Sequence, residues 1–358
     1  MMSKQYKVLA LNPGSTSTKI ALYEEEKCFF EEVIRHSKED LAAFATIYDQ
    51  YEYRRDLIEA ALVRHGYSVA DLDAVVGRGG ALKPIPGGTY AVNDLMLDDL
   101  RHRVQTQHAS NLGGLIARGI ADHHSLPAFI VDPVCVDEMQ PLAKISGWPE
   151  MPRRSLFHAL NLKATARRAA KDLGKSFEEV TLVMGHLGGG ISFAVQKEGN
   201  MIDIQNPMDG GAFSPERAGY LPLSPLIELC YSGRYSFDEI MKKMIGQGGL
   251  SAHLGTVDAR EVEARIAAGD TKAALIYEAM AYQIAKEIGS MATVVGGKFD
   301  AMVLTGGLAY SKLLVQMVRE RVEFMGKFMV YPGEDELIAL AEGALRVLHG
   351  EEREKIYE

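Results

Sequence analysis

The chain has 358 residues, of which 47% are hydrophobic and 24% are charged, and this mixture excludes a disordered or low-complexity protein. Its formal net charge of −9 disfavours general nucleic-acid binding, because proteins that neutralise many phosphates are normally basic. At about 150 residues per domain, the length predicts two domains.

The first half of the chain predicts an α/β domain that begins with an antiparallel meander. Three short apolar runs start it, and the turn NPGSTS separates the first two. The helical spacing of Ile58, Ala61 and Leu62, followed by Gly66, predicts the first helix. The predicted elements are strands over 6–11, 18–23 and 27–33, a helix over 47–65, a strand over 72–77, a helix over 109–123 and a strand over 128–131.

The second half repeats this order around a helical insertion. The predicted elements are strands over 180–185, 191–196 and 201–205, an insertion over 223–293, a strand over 301–305, a helix over 313–324, a strand over 328–331 and a helix over 336–349. The recurrence of the element order and of a glycine-rich first turn indicates an internal repeat. We therefore predict two related α/β domains that face each other across a ligand-binding cleft, with the boundary inside the helical run 157–173.

The turn between the first two strands has the composition of an anion-binding site. Asn12 is its first residue, and Gly14 allows backbone N–H groups to approach an anion closely. Ser15 and Ser17 add hydroxyl donors, and Lys19 adds positive charge. This composition suits the terminal phosphates of a nucleotide. The alternative is an ordinary polar hairpin.

Two further glycine clusters occupy corresponding places in the second half. Gly188, Gly189 and Gly190 form the turn after the first strand, where three consecutive glycines have no packing value. Gly306 and Gly307 follow a buried strand and precede a helix, whose N-terminus can face a phosphate or a ribose. The three turns together, in register with the duplicated order, predict a nucleotide site.

Two charged residues stand at the ends of predicted strands. Arg78 lies between glycines directly after an apolar strand, which favours a site residue over a surface arginine in a turn. Asp132 ends another strand, a frequent position for site carboxylates in α/β sheets. Its alternative is a helix or turn cap.

These motifs, in this order, resemble those of the acetokinase family, which comprises acetate, propionate and butyrate kinases and shares its fold with sugar kinases, chaperone ATPases and actin. The segments that carry the resemblance are NPGSTSTK, GRGG at 77–80, FHA at 157–159, HLGGGIS, PERAGYLP and YPGEDE, and their wording is most similar to that of the butyrate kinases. The resemblance covers nearly the whole chain. It implies duplicated ribonuclease H-like domains with an interdomain cleft, one over 1–165 on the carboxylate side, completed by 336–358, and one over 166–335 on the nucleotide side.

The implied activity is reversible transfer of the γ-phosphoryl group of ATP to butyrate or a similar short or branched-chain fatty acid, with ATP/ADP and Mg²⁺ as cofactors. Phosphoryl transfer needs alignment and charge stabilisation. A carboxylate acceptor needs no general base, because it is already ionised at neutral pH. These motifs contain no obvious catalytic base, which disfavours a sugar kinase, since a sugar kinase must deprotonate a hydroxyl. The alternatives are an acetate, propionate or isobutyrate kinase, and an ATP-switched assembly protein of the actin or chaperone type.

The resemblance also implies roles for individual residues. Arg78 and Arg217 would bind the carboxylate and stabilise the transferring group. His158 would hydrogen-bond the γ-phosphoryl group in the transition state, and His186 would act in the same way on the β- or γ-phosphate. Asp132 would orient the metal or the substrate.

Other residues are implied around the nucleotide and the metal. Asp258 and Arg260 match adenosine-side residues, although they could equally be a helix N-cap and an exposed first-turn charge. Asn12 and Glu336 would hold Mg²⁺ mostly through water. We favour Glu336 over Glu334 because it starts the last predicted helix. Capping of that helix by acidic residues is the alternative.

The predicted substrate pocket contains Gly80, His108, Phe157 and Pro207. Gly80 stands where acetate kinases carry a valine, two residues after the arginine that matches Arg78. We expect the missing side chain to enlarge the apolar end of the pocket and to favour butyrate, in a graded manner. Phe157 and Pro207 would form the remaining apolar wall, and His108 would lie near the substrate.

The cysteines and the apolar segments indicate a cytoplasmic location. Cys28, Cys135 and Cys230 have no short spacing, so neither a zinc site nor a disulfide framework is expected. The N-terminal apolar run is too short for a signal sequence, and no uncharged stretch is long enough to span a bilayer. The family is commonly dimeric, and we expect a homodimer or higher homo-oligomer. The apolar face of the 223–293 insertion is a candidate contact, and the alternative is that this face is ordinary core.

Overall fold

Two β-sheets organise the part of the chain that the computed structural model describes, residues 4–103 and 108–358. A first unit contains the chain up to Val136 together with Asp335–Glu358, and a second unit contains Asp137–Glu334. The strands of the first unit are β1 Lys7–Pro13, β2 Ser17–Glu24, β3 Lys27–Arg35, β4 Ala74–Arg78, β5 Thr89–Ala91 and β6 Ala128–Val131. Those of the second unit are β7 Leu182–Leu187, β8 Ile191–Lys197, β9 Asn200–Gln205, β10 Ala301–Gly306 and β11 Phe328–Pro332.

Helices connect and cover these strands. They are α1 Lys38–Ala42, α2 Tyr51–Arg64, α3 Asp94–Asp98, α4 Leu112–Asp122, α5 Ala159–Asp172, α6 Leu223–Tyr231, α7 Phe237–Met244, α8 Gly249–Leu254, α9 Ala259–Ala267, α10 Thr271–Val294, α11 Lys312–Val322 and α12 Glu336–Leu348. Short helical turns occupy Tyr48–Gln50, Val69–Asp71, Asp99–Arg103, Ala109–Asn111, Pro141–Lys144, Gly307–Tyr310 and Glu323–Met325. None of the helices among the described residues has the length and apolarity that crossing a membrane requires.

The first sheet has the strand order β3-β2-β1-β4-β6-β5. β1 to β3 form the predicted antiparallel meander, and β4 and β6 run parallel to β1. The strand register pairs Leu11 with Gly77 and Arg78 with Val131. The carboxyl ends of β1, β4 and β6 therefore lie side by side, which is where ligands bind in open α/β sheets.

Close packing of a helix on β4 depends on two glycines. A Cβ atom built on Gly77 would lie 2.1 Å from the carbonyl oxygen of Gly113, and one built on Gly113 would lie 2.1 Å from the carbonyl oxygen of Arg78. Any side chain at either position would force the strand and α4 apart. This contact fixes the end of β4, and with it the backbone of Arg78.

The second sheet has the order β11-β10-β7-β8-β9, which is the same arrangement of a meander and following parallel strands. Apolar residues of α10 and α11, such as Tyr277, Ile284 and Leu314, form one buried cluster with Phe193 and Leu304 of the sheet. The structure therefore has the predicted α/β class and the predicted duplicated strand order.

Several features differ from the predictions. β5, α1 and α3 were not predicted, because they are only three to five residues long. The division between the units falls at Val136 and Asp137 and not inside the run 157–173, since α5 packs on β7 and β10 of the second unit. The predicted insertion corresponds to α6 to α10.

Candidate active site

In the first unit, three predicted site residues meet at the carboxyl edge of the sheet. Asn12 is buried near the end of β1, Arg78 ends β4, and Glu336 is the first residue of α12. Asn12 Nδ2 donates a hydrogen bond to Glu336 Oε2, and Arg78 Nη1 donates to the same oxygen at 3.0 Å. The Nε and Nη2 groups of Arg78 have no hydrogen-bond partner among residues 4–103 and 108–358. The arginine therefore keeps donors for an anionic ligand.

The NPGSTS turn lies next to this cluster in sequence. The N–H group of Gly14 donates to the carbonyl of Ser17 at 2.7 Å and closes the turn. Ser15 and Lys19 are exposed, and Ser17 is half-buried. The residue types that were predicted to contact a phosphate therefore lie at or near the surface of the first unit.

Arg54 lies beneath the same turn, and the sequence analysis missed it. It is 1% exposed and donates hydrogen bonds to the backbone carbonyls of Gly14, Ser15 and Ser17. A signal was available, because Arg54 stands four residues before Ile58 on the buried face of α2. A lone charge on an apolar helix face indicates either an error in the helix assignment or a buried functional charge.

Asp132 and His108, two further predicted site residues of the first unit, make hydrogen-bond contacts with Gly88 and Ser110, respectively. Asp132 is buried, adopts a φ of 39°, and accepts a hydrogen bond from the Gly88 N–H at 2.7 Å through Oδ1. This is the turn-capping contact that was its alternative, and its site role stays a prediction. His108 Nδ1 lies 2.8 Å from Ser110 Oγ. Desolvation, and then the charge of Arg78, lowers the pKa of His108.

Gly80 corrects one expectation. A Cβ atom at this position would lie 2.4 Å from Asn111 Oδ1, 2.6 Å from Asn111 Cα and 3.0 Å from Leu100 Cδ2. Asn111 is also held in place, because its Oδ1 accepts a hydrogen bond from the Ala81 N–H at 2.9 Å. The space beside Gly80 is therefore filled, and the missing side chain does not enlarge a pocket as expected.

In the second unit, His158 and His186 form a stacked pair. Their ring centroids lie 3.8 Å apart with an interplanar angle of 12°. His158 is the residue before α5 and lies 2.8 Å from Ser192 Oγ through Nδ1. His186, 2% exposed, lies 2.7 Å from Asn161 Oδ1 through Nδ1. Neither Asn161 nor Ser192 was predicted as a site residue.

The hydrogen bonds of Asn161 define which nitrogen of His186 carries a proton. Asn161 Nδ2 donates to the carbonyl of Glu334 at 2.8 Å, so its Oδ1 is the acceptor that faces His186. The proton of the neutral ring is therefore on Nδ1, and Nε2 can donate only in the cationic form. Nε2 lies beside the glycine turn, 3.0 Å from a Cβ atom built on Gly188.

Arg217 packs on the glycine turn from the segment between β9 and α6. A Cβ atom on Gly190 would lie 2.5 Å from both Cζ and Nη1 of Arg217, so glycine is required for this approach. Ser214 connects the two segments, because its hydroxyl donates to the Gly189 carbonyl at 2.5 Å and accepts from the Arg217 N–H at 3.0 Å. The Arg217 guanidinium forms no ion pair with the described residues. Burial lowers its pKa.

A cavity of 1040 Å³ lies in the second unit beside this turn. Its volume is that of a large ligand site, since pockets for small molecules are about 300–1,000 Å³. The predicted nucleotide residues that line it are Gly188, Gly189, Asp258, Arg260 and Gly307. The second unit therefore brings these five residues to one cavity.

Asp258 and Arg260 also have the contacts of their alternative interpretation. Asp258 caps α9 by accepting the Arg260 N–H at 2.9 Å, and the Arg260 side chain forms two further bonds with it, the shorter of 2.6 Å. These bonds lower the pKa of Asp258 to about 2.

Gly306, the last residue of β10, adopts a φ of 91°, and a Cβ atom there would lie 2.4 Å from the Leu187 carbonyl oxygen.

The remaining predicted pocket residues, Phe157 and Pro207, are both buried in the second unit. Their role in a substrate pocket stays a prediction.

Within the described part of the chain, no group of three or more His, Cys, Asp and Glu side chains could hold a metal ion. Asn12 and Glu336 thus supply too few ligands for a cage made of protein alone.

Comparisons with known proteins show the family of this chain. A family model described as "Acetokinase family" matches residues 150–339. A probable butyrate kinase of Clostridium botulinum (strain Alaska E43 / Type E3) is 52% identical over 353 residues, which are 98% of this chain and 99% of that protein.

Solved structures resemble the whole chain at lower identity. Porphyromonas gingivalis acetate kinase aligns with a TM-score of 0.78 and 20% identity, covering 95% of this chain and 99% of that one. A propionate kinase from Francisella tularensis subsp. tularensis SCHU S4 aligns with a TM-score of 0.74 and 20% identity, covering 94% and 98%. This likeness concerns the fold, and it confirms the predicted duplicated ribonuclease H-like architecture.

Proposed function

Because this chain belongs to the acetokinase family, and is a kinase that transfers a phosphoryl group to a carboxylate, we propose that its acceptor is butyrate or a similar short or branched-chain fatty acid. ATP is the donor, and the products are butanoyl phosphate and ADP. The similarity to a probable butyrate kinase supports this choice of acid. Acetate, propionate and isobutyrate are the competing acceptors within the same class.

The observation that carries the proposal is the position of Arg217. Its guanidinium packs on Gly190, in the turn whose other glycines line the 1040 Å³ cavity, and it has no carboxylate partner among the described residues. A partly buried guanidinium that forms no ion pair, although the charge of Glu216 acts on it, suits the negative charge that spreads over a transferring phosphoryl group. An ATP-switched assembly protein has no need of such a group.

The proposed reaction also assigns roles to Arg78 and His186. The carboxylate of the acid attacks the γ-phosphorus in line, and it needs no base because it is already ionised. Arg78 binds the acid or the phosphoryl group through donors that Glu336 and Asn12 do not use. His186 donates through Nε2 when its ring is cationic, because Nδ1 is committed to Asn161. The glycine turn at Gly188 and Gly189 would contact the phosphates from the wall of the cavity.

The residues near Arg78 fit Mg²⁺ only as part of a larger ligand set. Asn12 and Glu336 offer an amide and a carboxylate oxygen, and Mg²⁺ usually keeps several waters and binds one or two carboxylates together with substrate phosphates. When bound, the ion neutralises charge on the phosphates of ATP. Asn12 and Glu336 would hold it through water, beside the ion pair that Glu336 makes with Arg78.

The exposed face of α6 supports a homo-oligomer. Leu223, Ile227 and Tyr231 recur every four residues on this helix and are 74%, 57% and 89% exposed. Such an unpartnered apolar row is typical of an interface, and we propose a second copy of this chain as its partner. Light scattering on Ile227→Glu and wild type should show a smaller particle for the variant. A wild type that stays monomeric at all concentrations contradicts the proposal.

A hydroxamate assay tests the function. The enzyme is incubated with ATP, Mg²⁺, hydroxylamine and one acid at a time, from two to five carbons, and the acyl hydroxamate is measured. We expect butyrate or a branched acid to give the highest kcat/KM. A preference for acetate would assign the chain to another member of the class. The absence of product with every acid would favour the assembly protein.

A further inference from the structure

Arg54 is a buried cation whose hydrogen-bond acceptors are all neutral. Nη1 donates to the carbonyl oxygen of Gly14 at 2.8 Å, to that of Ser17 at 3.4 Å and to Thr18 Oγ1 at 3.1 Å. Nη2 donates to the carbonyl oxygen of Ser15 at 3.3 Å. Nη2 and Nε also donate to Gln50 Oε1, at 2.8 and 3.1 Å. No carboxylate forms an ion pair with Arg54 anywhere in residues 4–103 and 108–358.

A fully buried charge without a counter-ion is rare, because desolvation is costly unless another charge balances it. Burial lowers the pKa of Arg54 to about 10, so the side chain is still cationic at neutral pH. Its hydrogen bonds satisfy the donors and leave the positive charge uncompensated. That charge acts directly beneath the NPGSTS turn.

The bonds of Arg54 also orient the peptide groups of the turn. In a trans peptide the C=O and N–H groups point in opposite directions. Since the carbonyls of Gly14 and Ser15 point toward Arg54, the N–H groups of Ser15 and Thr16 point away from it. Neither N–H donates a hydrogen bond within the described residues. Two consecutive N–H groups directed outward are the usual elements of an anion-binding concavity.

A second buried side chain supports the turn from the same side. Thr18 Oγ1 accepts from Arg54 and lies 2.9 Å from His36 Nε2, and the His36 N–H donates to the Thr16 carbonyl at 2.9 Å. Burial, and then the charge of Arg54, lowers the pKa of His36 to about 4. His36 is therefore neutral at pH 7, and it shares a hydrogen bond with the Thr18 hydroxyl without adding charge.

We propose that Arg54 is a positioning residue for phosphoryl transfer, which turns the N–H groups of Ser15 and Thr16 toward the γ-phosphoryl group and provides the positive charge that this group balances. The proposal rests on the proposed function, since it takes the turn to be a phosphate contact. Arg54 does not touch the phosphoryl group. It acts through the backbone of the turn.

Two variants at this position separate charge from packing. Arg54→Met keeps the apolar stem and removes the charge and the donors, whereas Arg54→Lys keeps the charge with fewer donors. Arg64→Met is the matched control, because Arg64 lies in the same helix, is exposed and pairs with Glu32. The measurements are kcat, the KM for the acid, the melting temperature, and the dissociation constants of ATP and ADP from calorimetry.

We expect Arg54→Met to lower kcat by about 10-fold to 100-fold, which is less than the loss of a direct transition-state donor. Its affinity for ATP should fall by about 10-fold while that for ADP stays within about twofold, because only ATP carries the γ-phosphate. Arg54→Lys should recover part of both losses. Arg64→Met should match the wild type.

Equal losses of ATP and ADP affinity, with the same lowered melting temperature in Arg54→Met and Arg54→Lys, would assign Arg54 a structural role and overturn the proposal. A kcat for Arg54→Met within about threefold of wild type would also overturn it. Failure of the proposed function gives a different result. In that case no acid is phosphorylated, but selective loss of ATP affinity in Arg54→Met still supports the role of Arg54.

Discussion

The imidazole rings of His158 and His186 stack 3.8 Å apart and nearly parallel, and each ring is held through Nδ1 by a different neighbour. These two hydrogen bonds fix the orientation of the rings. Asn161 is the more informative neighbour, because its own second bond defines its orientation.

Asn161→Ala should lower turnover without unfolding the protein. It removes the acceptor that keeps a proton on His186 Nδ1, and loss of a hydrogen bond to a charged group costs about 1.5–3 kcal/mol. That corresponds to a decrease in kcat of about 10-fold to 100-fold. The measurement is kcat and KM for the acid, with Asn200→Ala as a control because Asn200 is exposed at a hairpin. Equal kinetics of the two variants would show that the Asn161 bond is not used in catalysis.

If Arg217 has the role proposed above, Arg217→Ala should lower kcat by orders of magnitude, since it would remove the charge that faces the transferring group. Gly190→Ala tests the position of the same guanidinium, because the added methyl group would lie 2.5 Å from Cζ of Arg217 and displace it. We expect the two variants to lose similar activity while circular dichroism stays unchanged. Gly147→Ala is the control, since nothing lies within 4 Å of a Cβ atom there. Turnover of Arg217→Ala close to wild type would remove this residue from the site.

Much of the fold could be predicted because its signals are local. The β1–β2–β3 meander and the strand before Arg78 are continuous apolar runs bounded by glycine or polar turns, and α12 begins at Glu336 as its acidic start indicates. Part of the cavity lining in the second unit was predictable where it coincides with such turns. Gly188 and Gly189 are an example, since a run of glycines after a strand indicates a close backbone approach.

The features that could not be predicted from the sequence depend on contacts between segments that are far apart in the chain. Arg54 was missed because one charge on an apolar helix face does not reveal which turn it supports. Asn161 is an ordinary polar residue in a helix until its bonds to His186 and Glu334 are known. Gly80 was misinterpreted because a missing side chain suggests a space, and only the structure shows that Asn111 fills it.

Gly80→Val tests this correction directly. If Asn111 fills the space, the larger side chain must displace it, and overpacking of this kind costs about 1–3 kcal/mol of unfolding free energy. We expect a lower urea midpoint with no specific gain for acetate over butyrate. Gly289→Ala serves as the control, because it adds a methyl group where nothing lies within 4 Å. A stable Gly80→Val enzyme that now prefers acetate would restore the original interpretation of Gly80 as a pocket residue.

The pH dependence of stability tests the neutral state of His36 beneath the turn. Its pKa in the folded protein is lowered from 6.5 to about 4 by burial and by the charge of Arg54. Between these values the unfolded chain binds a proton that the folded protein does not bind, so the free energy of unfolding rises with pH. Acidification from pH 6.5 toward pH 4 therefore destabilises the folded protein, by up to about 1.4 kcal/mol per pH unit from this group.

His36→Gln removes this titration and keeps an acceptor for Thr18 Oγ1. We expect the wild type to lose stability relative to His36→Gln as the pH falls, with the difference growing below about pH 6.5 because the unfolded histidine then becomes charged. Urea unfolding of both proteins at several pH values gives the difference, and His124→Gln, at an exposed position, controls for loss of a histidine. Parallel pH curves for wild type and His36→Gln would mean that His36 takes up its proton equally in both states, and that Arg54 does not keep it neutral.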